Sequence, residues 1–268
     1  MIAVALYTPL LGFATGAADG TQPRLICNSP PQLKKPRRCR NPLVAAGVYS
    51  AKGPRPNNED AALAVIYRQD KQIYSLAAVA DGVGGLRKGE VASHVAVCRL
   101  AEVFISHVTR GAARTTQWRT WIKDAIDAVH RAVVEKAGGG ATTLTVAIYD
   151  GQLLHVANVG DSPAYLDGGI VTTELDEQGN YITQALGHRS YTAPHYYSRP
   201  LHAKRHEVVL VTDGVDDVLK KEGKELYKTP TKTPLCKACR LVNTALARGG
   251  RDNATAAVMW IYHPGTVD

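Results

Sequence analysis

Short apolar runs bounded by Gly, Pro, Asn or Asp predict strands over residues 44–49, 61–67 and 74–80. The period then changes. Residues 89–108 and 117–136 place apolar side chains three and four apart, and in the second stretch Trp118, Trp121, Ile122, Ala125, Ile126, Val129 and Val133 share one helical face. Gly138-Gly139-Gly140 ends that helix. Strand patterns return over 142–149 and 153–159, joined through Asp150-Gly151, and over 164–166 and 170–174, joined through Asp167-Gly168-Gly169. A strand over 208–212, a short helix near 215–221, a helix over 234–248 and a strand over 254–262 complete the pattern. Hairpins instead of strand–helix–strand crossovers predict antiparallel sheets with the long helices packed outside them, an α+β fold.

Length and composition narrow the class. At 268 residues and 45% hydrophobic, the chain can bury one large core. It has no uninterrupted apolar stretch of about 18 residues, so no transmembrane helix is expected. The net charge of +8 is concentrated: Arg24, Lys34, Lys35, Arg37, Arg38, Arg40, Lys52 and Arg55 face a single acid, Asp19, in the first 55 residues. A basic tail on a nearly neutral domain predicts a solvated arm and no specific nucleic-acid reader. Residues 23–42 are rich in Pro, Lys and Arg, so residues 1–42 are expected to form an arm and 43–263 the folded domain. Residues 2–13 are apolar enough for a signal-peptide core, but no Lys or Arg precedes them and Pro9 interrupts them. Five cysteines are an odd count for a secreted disulfide framework, and the expectation is a cytoplasmic protein. Cys236-x-x-Cys239 falls in the 234–248 helix, where Leu235, Cys239, Val242 and Leu246 suggest packing; a zinc site with Cys27 and Cys39 is the alternative.

Four aspartates stand where an apolar strand meets a loop: Asp81, Asp161, Asp213 and Asp252. One such residue is usually a turn or a helix cap. Four at strand ends suggest convergence, and unpaired buried carboxylates cost roughly several kcal/mol each. Cations remove that cost, and hard oxygen ligands suit Mg²⁺ or Mn²⁺ better than zinc.

At these residues the chain resembles a known family. Gly53-Pro54-Arg55-Pro56-Asn57-Asn58-Glu59-Asp60, Ala80-Asp81-Gly82-Val83-Gly84-Gly85, Gly89-Glu90-Val91-Ala92-Ser93, Gly140-Ala141-Thr142-Thr143-Leu144, Gly160-Asp161-Ser162, Thr212-Asp213-Gly214 and Arg251-Asp252-Asn253 follow in order. The set is similar to the metal-dependent Ser/Thr protein phosphatases of type 2C in their bacterial form, over about residues 44–262. The resemblance implies a four-layer α-β-β-α sandwich of two antiparallel sheets, with the cations in the cleft between sheet edges. It implies that Asp81 bridges two Mn²⁺ or Mg²⁺ ions, that Gly82 ligates through its carbonyl and that Asp213 and Asp252 complete the first ion. Glu59 and Asp60 are implied to hold bound waters, Asp161 with Asp213 a third, weaker ion, and Arg55 the phosphate. The implied reaction is hydrolysis of phosphoserine and phosphothreonine on proteins by an activated water, opposing a cognate Ser/Thr kinase, in a monomer. An inactive scaffold on the same fold and a small-molecule phosphoesterase are the competing functions; the first would have no reason to keep the acidic cluster, and the second lacks a phosphate-cradling Gly-rich loop.

Three departures stand out. Val83 occupies the position where eukaryotic relatives carry a His proposed to protonate the leaving alkoxide. Pro163 replaces the Arg commonly found after Gly-Asp-Ser. Only 51 residues separate Asp161 from Asp213, which shortens the substrate-facing flap. That segment holds His188, His195, His202 and His206 at spacings that fit no standard zinc site, and they are expected in surface loops.

Overall fold

Nearly every residue of Asp60–Gln69 (β4) and Gln72–Asp81 (β5) is buried, which requires cover on both faces of their sheet. The computed structural model describes residues 2–8, 12–17, 43–69, 71–84, 88–111, 113, 116–178, 181–220, 227 and 229–262. In it a seven-stranded antiparallel sheet runs in the order His195–Pro200 (β12), Leu153–Val159 (β7), Leu144–Tyr149 (β6), β5, β4, Ile2–Thr8 (β1) and Gly12–Ala17 (β2). A five-stranded antiparallel sheet runs Leu43–Ala51 (β3), Ala254–Tyr262 (β14), Arg205–Val211 (β13), Ala164–Leu166 (β8) and Gly169–Ile170 (β9). Glu177–Gln178 (β10) and Tyr181–Ile182 (β11) form a small separate ribbon.

Side-chain parity builds three cores from these sheets. Leu63, Leu76, Val146 and Val159 pack on the helices Gly89–Thr109 (α1) and Trp118–Lys136 (α2). Alternate residues of the same strands, among them Ala62, Val79, Ala147 and Val156, meet Val48, Leu210 and Met259 of the second sheet. Val209, Val211 and Val258 face the helices Asp213–Leu219 (α3) and Pro234–Ala247 (α4). The four α-β-β-α layers are those the resemblance implied. Helix α1 is long and apolar enough to cross a membrane by composition, yet Ala92, Ala96, Val97, Leu100 and Phe104 bury it in the first core. Gly138 and Gly139, both with positive φ, turn the chain out of α2 as expected.

The structure revises several local expectations. The strand expected over 170–174 shortens to Gly169–Ile170. Helix α4 forms with Thr233 as its N-cap, accepting from the Cys236 N–H at 3.1 Å. Its buried face, however, is Ala238, Leu241, Val242 and Ala245, while Leu235 is exposed and Cys236 lies on the surface. Lys237 is the unexpected member of that face. Its buried Nζ donates to the carbonyls of Tyr227 and Thr229 at 2.7 and 2.8 Å and pairs with Glu207 Oε1 at 3.0 Å, which satisfies all three of its protons. His206 is buried on β13, with Nδ1 2.7 Å from Asp167 Oδ2, and is no loop residue. Cys27, Cys39 and most of the basic arm lie outside the described residues.

The boundary expected at residue 43 also shifts. Strand β1 pairs antiparallel with β4, Ile2 opposite Tyr67 through Tyr7 opposite Ala62, and Ile2 and Val4 pack against the first core. The first part of the apolar run over 2–13, which Pro9 interrupts, thus forms a sheet strand. A chain beginning at Pro42 loses this cover and leaves the N–H and C=O groups of β4 unpaired at an edge. Such a truncated protein is expected to self-associate more than the full chain, as checked by size-exclusion chromatography with light scattering at matched concentration; identical monomeric behaviour would show that β1 is dispensable to the sheet.

Candidate metal centre

The core between the sheets changes character at one end. Its parity positions read Ala62, Val79, Ala147, Val156, Leu210 and Ala257 in the middle, but Asp60, Asp81, Thr145, Asn158, Thr212 and Thr255 one pleat further on. Asp60 and Asp81 are direct antiparallel partners, first residue of β4 and last of β5, so their side chains leave the same face side by side. Asp213 opens α3 immediately after β13, and Asp252 precedes β14. Asp161 follows β7 through Gly160, whose φ of +97° turns the chain sharply out of the strand.

Thr142 and Thr143 fix the position of Asp81. The Asp81 carbonyl accepts from the Thr143 N–H and the Thr142 hydroxyl, each at 2.8 Å, and its N–H donates to Thr143 Oγ1 at 3.0 Å. A Cβ on Gly82 would sit 2.5 Å from the backbone of Gly89, so only glycine lets the start of α1 approach the strand end this closely. Asn253 organises the opposite wall. It accepts from the Glu59 N–H at 2.8 Å and donates to the carbonyls of Lys52 and Asn57, each at 2.8 Å, which shapes the loop that carries Arg55 and Glu59. Asn253 and the two threonines stand in the sequence motifs, but only tertiary contacts give them these jobs.

The electrostatics of the cluster are adverse without a counter-charge. Burial, reinforced by the Asp213 carboxylate against its Thr255 and Thr212 hydrogen bonds, pushes Asp60 up to about 7. Burial and Asp213 likewise push Asp161 up to about 7. Asp81 is held well above the ordinary carboxylate range by burial and then by Asp60 and Asp213; Asp213 is raised by burial. Asp81 and Asp213 thus act on each other across the cluster, and Asp213 is among the charges that raise Asp81. Burial and the nearby Glu90 raise Glu59 as well.

Three of these side chains keep a buried oxygen with no hydrogen-bond partner: Asp60 Oδ1, Asp161 Oδ1 and Asp213 Oδ1. A buried anionic oxygen left bare is costly, and a cation is the ligand that satisfies it. Among the described residues no three acidic, His or Cys side chains close on a single point, and it is the bare oxygens that call for a counter-charge. The residues therefore fit hard divalent cations, with Asp81 placed between Asp60 and Asp213. Arg55 is half-exposed and reaches over this wall, its Nη2 2.5 Å from Asp252 Oδ2, while Asp252 Oδ1 accepts from the Asn253 N–H. The histidines stand apart from the cluster: His188 bonds to Ser190, and His195 starts β12 and pairs with Asp176.

The family model for protein phosphatase 2C matches residues 54–248. The serine/threonine phosphatase stp of Listeria innocua is 27% identical over 234 residues, covering 76% of this chain and 90% of that protein. The crystal structure of the Mycobacterium tuberculosis serine/threonine phosphatase PstP superposes with a TM-score of 0.64 at 27% identity, covering 81% of this chain and 97% of that one. The catalytic domain of PstP in complex with two manganese ions gives 0.65 at 26% identity over 83% of this chain and all of that one.

Raised carboxyl pKa values make the stability of the metal-free protein depend on pH. Asp60 and Asp161 bind protons more tightly folded than unfolded, so their contribution is fully present below pH about 4 and is lost as pH rises through about 7. Thermal melts in EDTA should show the melting temperature falling between those values, by roughly a few kcal/mol of stability, and saturating Mn²⁺ should abolish the fall; a flat EDTA profile would show that the carboxylates do not converge.

Proposed function

The chain belongs to the protein phosphatase 2C family, and from that membership we infer a division of labour among its own residues. It is a metal-dependent Ser/Thr protein phosphatase, and the observation that carries the reading onto particular side chains is the set of bare buried oxygens on Asp60, Asp161 and Asp213 around Asp81. Asp81, the Gly82 carbonyl, Asp213 and Asp252 would hold two Mn²⁺ or Mg²⁺ ions, Asp81 being shared between them, with Glu59 and Asp60 supporting their waters, and Asp161 with Asp213 would take a third, weaker ion. When bound, such a pair supplies hydroxide near neutral pH and offsets charge on the transferring phosphoryl group.

The remaining work falls to groups of the chain. Arg55 offers a planar fork that grips two phosphoryl oxygens and turns phosphorus toward in-line attack. Its contact with Asp252 holds it over the acidic wall while it remains half-exposed. Glu59 is fixed by its backbone bond to Asn253, and Thr212 holds Asp60 by a 2.9 Å hydrogen bond to Oδ2, so the carboxylates are preorganised before substrate arrives. Val83 brings no proton, so the leaving alkoxide takes its proton from bound water or another group.

The substrates are phosphorylated proteins, and a Ser/Thr kinase must supply them, because only phosphoryl transfer to a hydroxyl makes the ester this site cleaves. A monomer in the cytoplasm is the setting we propose; among the described residues Cys98 and Cys236 form no disulfide, which supports a reducing compartment.

Hydrolysis of a phosphothreonine peptide should require Mn²⁺ or Mg²⁺ and stop with EDTA, and Asp81→Asn should cost well over roughly 100-fold in kcat, more than the usual loss of a ligand's supporting partner. Turnover that survives exhaustive chelation, or a near-normal Asp81→Asn enzyme, would refute the bridging assignment. Arg55→Ala should leave metal content unchanged and raise KM by roughly 10- to 150-fold, the equivalent of one lost charged hydrogen bond of about 1.5–3 kcal/mol; unaltered KM and phosphate inhibition would place Arg55 outside the site.

A further inference from the structure

The turn that presents Asp161 is held from behind by a residue outside every motif. Asp176 lies in the segment between β9 and β10 and is 8% exposed. Its Oδ2 accepts from the Gly160 N–H at 2.9 Å and from Gln184 Nε2 at 3.0 Å, and its Oδ1 lies 2.9 Å from His195 Nε2. The backbones lock the same contact, with the Asp176 N–H donating to the Gly160 carbonyl at 3.0 Å and the Thr183 N–H to the Asp176 carbonyl at 2.7 Å. Gln184 extends the hub by accepting from the backbone of Thr192 and Ala193 at 2.6 and 3.1 Å. One buried carboxylate thus ties the strand end, the small ribbon β10–β11 and the start of β12 together.

The tie acts where the backbone has more freedom than elsewhere. Gly160 sits at φ +97°, a conformation that glycine adopts and equally readily leaves, so an external bond must select it. The neighbouring residue is Asp161, whose Oδ1 is buried and bare. Ser162, Pro163 and Ala164 follow in the chain, so no long cationic side chain stands in the turn to brace it.

We propose that Asp176 is a positioning residue: by gripping the Gly160 N–H it orients the Asp161 carboxylate for the weakest cation of the centre and fixes the flap ribbon beside it. This rests on the metal-phosphatase reading above. Asp176 touches neither substrate nor cation; it acts through Gly160.

Calorimetric titration of Mn²⁺ into metal-free wild type, Asp176→Ala, Asp161→Ala and the double variant separates this role from general support of the fold. Asp176→Ala should weaken the weakest Mn²⁺ equivalent roughly 10–100-fold, as loss of a ligand's partner does, while the tighter equivalents keep their affinity. The double variant should bind no more weakly than Asp161→Ala alone, since Asp176 acts only through Asp161. Asp176→Asn should restore binding, because its amide oxygen still accepts from the Gly160 N–H and from Gln184. Wild-type weak binding in Asp176→Ala, or additive losses in the double variant, would overturn the inference. A wild-type chain that takes up no Mn²⁺ would refute the metal centre together with it. If Asp176→Ala fails to fold, amide exchange on the unmutated protein decides: Gly160 should be as protected as the interior of β7, and an unprotected Gly160 amide overturns the proposal.

Discussion

Repulsion among carboxylates crowded at one end of the inter-sheet layer is the constraint on which the rest of this protein turns. Asp60, Asp81, Asp161 and Asp213 are brought together where water is largely excluded, and burial and mutual charge raise the pKa of all four. A fold that keeps such a cluster is storing unfavourable energy at one place. Divalent cations bound there would convert that cost into binding energy by taking up the bare oxygens that the protein itself leaves unpaired. They would also offset charge on a dianionic ester.

The scaffold's contribution is rigidity around that cost. Two sheets with alternate apolar faces give three cores, and the middle one ends in a polar tier of Ser50, Thr145, Asn158, Thr212 and Thr255. These groups bond chiefly to one another and to the acids: Ser50 to Thr255 at 2.6 Å, Asn158 to Thr145 at 2.8 Å, Thr212 to Asp60 at 2.9 Å. A graded layer of this kind passes from dispersion-packed core to ionic site without an abrupt desolvated charge. Glycines at 82 and 214 allow backbones to close against each other there; a Cβ at Gly214 would lie 1.9 Å from the Asn253 carbonyl.

The flap side is held by different means. Between β9 and β12 the chain has little regular structure, and order comes from side chains: Asp176 and Gln184 to the strand end, Tyr191 to Asp127 at 2.5 Å, and the Gly187 N–H to His130 at 3.1 Å. Leu186 exchanges backbone bonds with Thr142, whose hydroxyl reaches the Asp81 carbonyl. The shortened flap is therefore connected by hydrogen bonds to the central aspartate of the site.

Much of this was legible in the sequence, for reasons tied to local physics. Period-two and period-3.6 patterns reflect which side chains must leave water, so the long strands and helices, and their antiparallel hairpins, follow from the chain alone. The seven motifs carry the acids because each acid stands at a strand end whose neighbours are fixed by turn chemistry. What the chain could not disclose is everything set by contact between distant residues. The apolar run over 2–13 shows no strand pattern of its own, and it is β4 that gives residues 2–8 an edge to pair with. Lys237 reads as a solvated helix lysine until Glu207 and two carbonyls from elsewhere enclose it. Asp176 reads as a turn acid until the Gly160 N–H meets it. Local pattern determines which groups must be buried or turned, because that is a property of each side chain and its neighbours. Only the tertiary structure decides which buried group answers which, because that depends on distances the sequence does not contain.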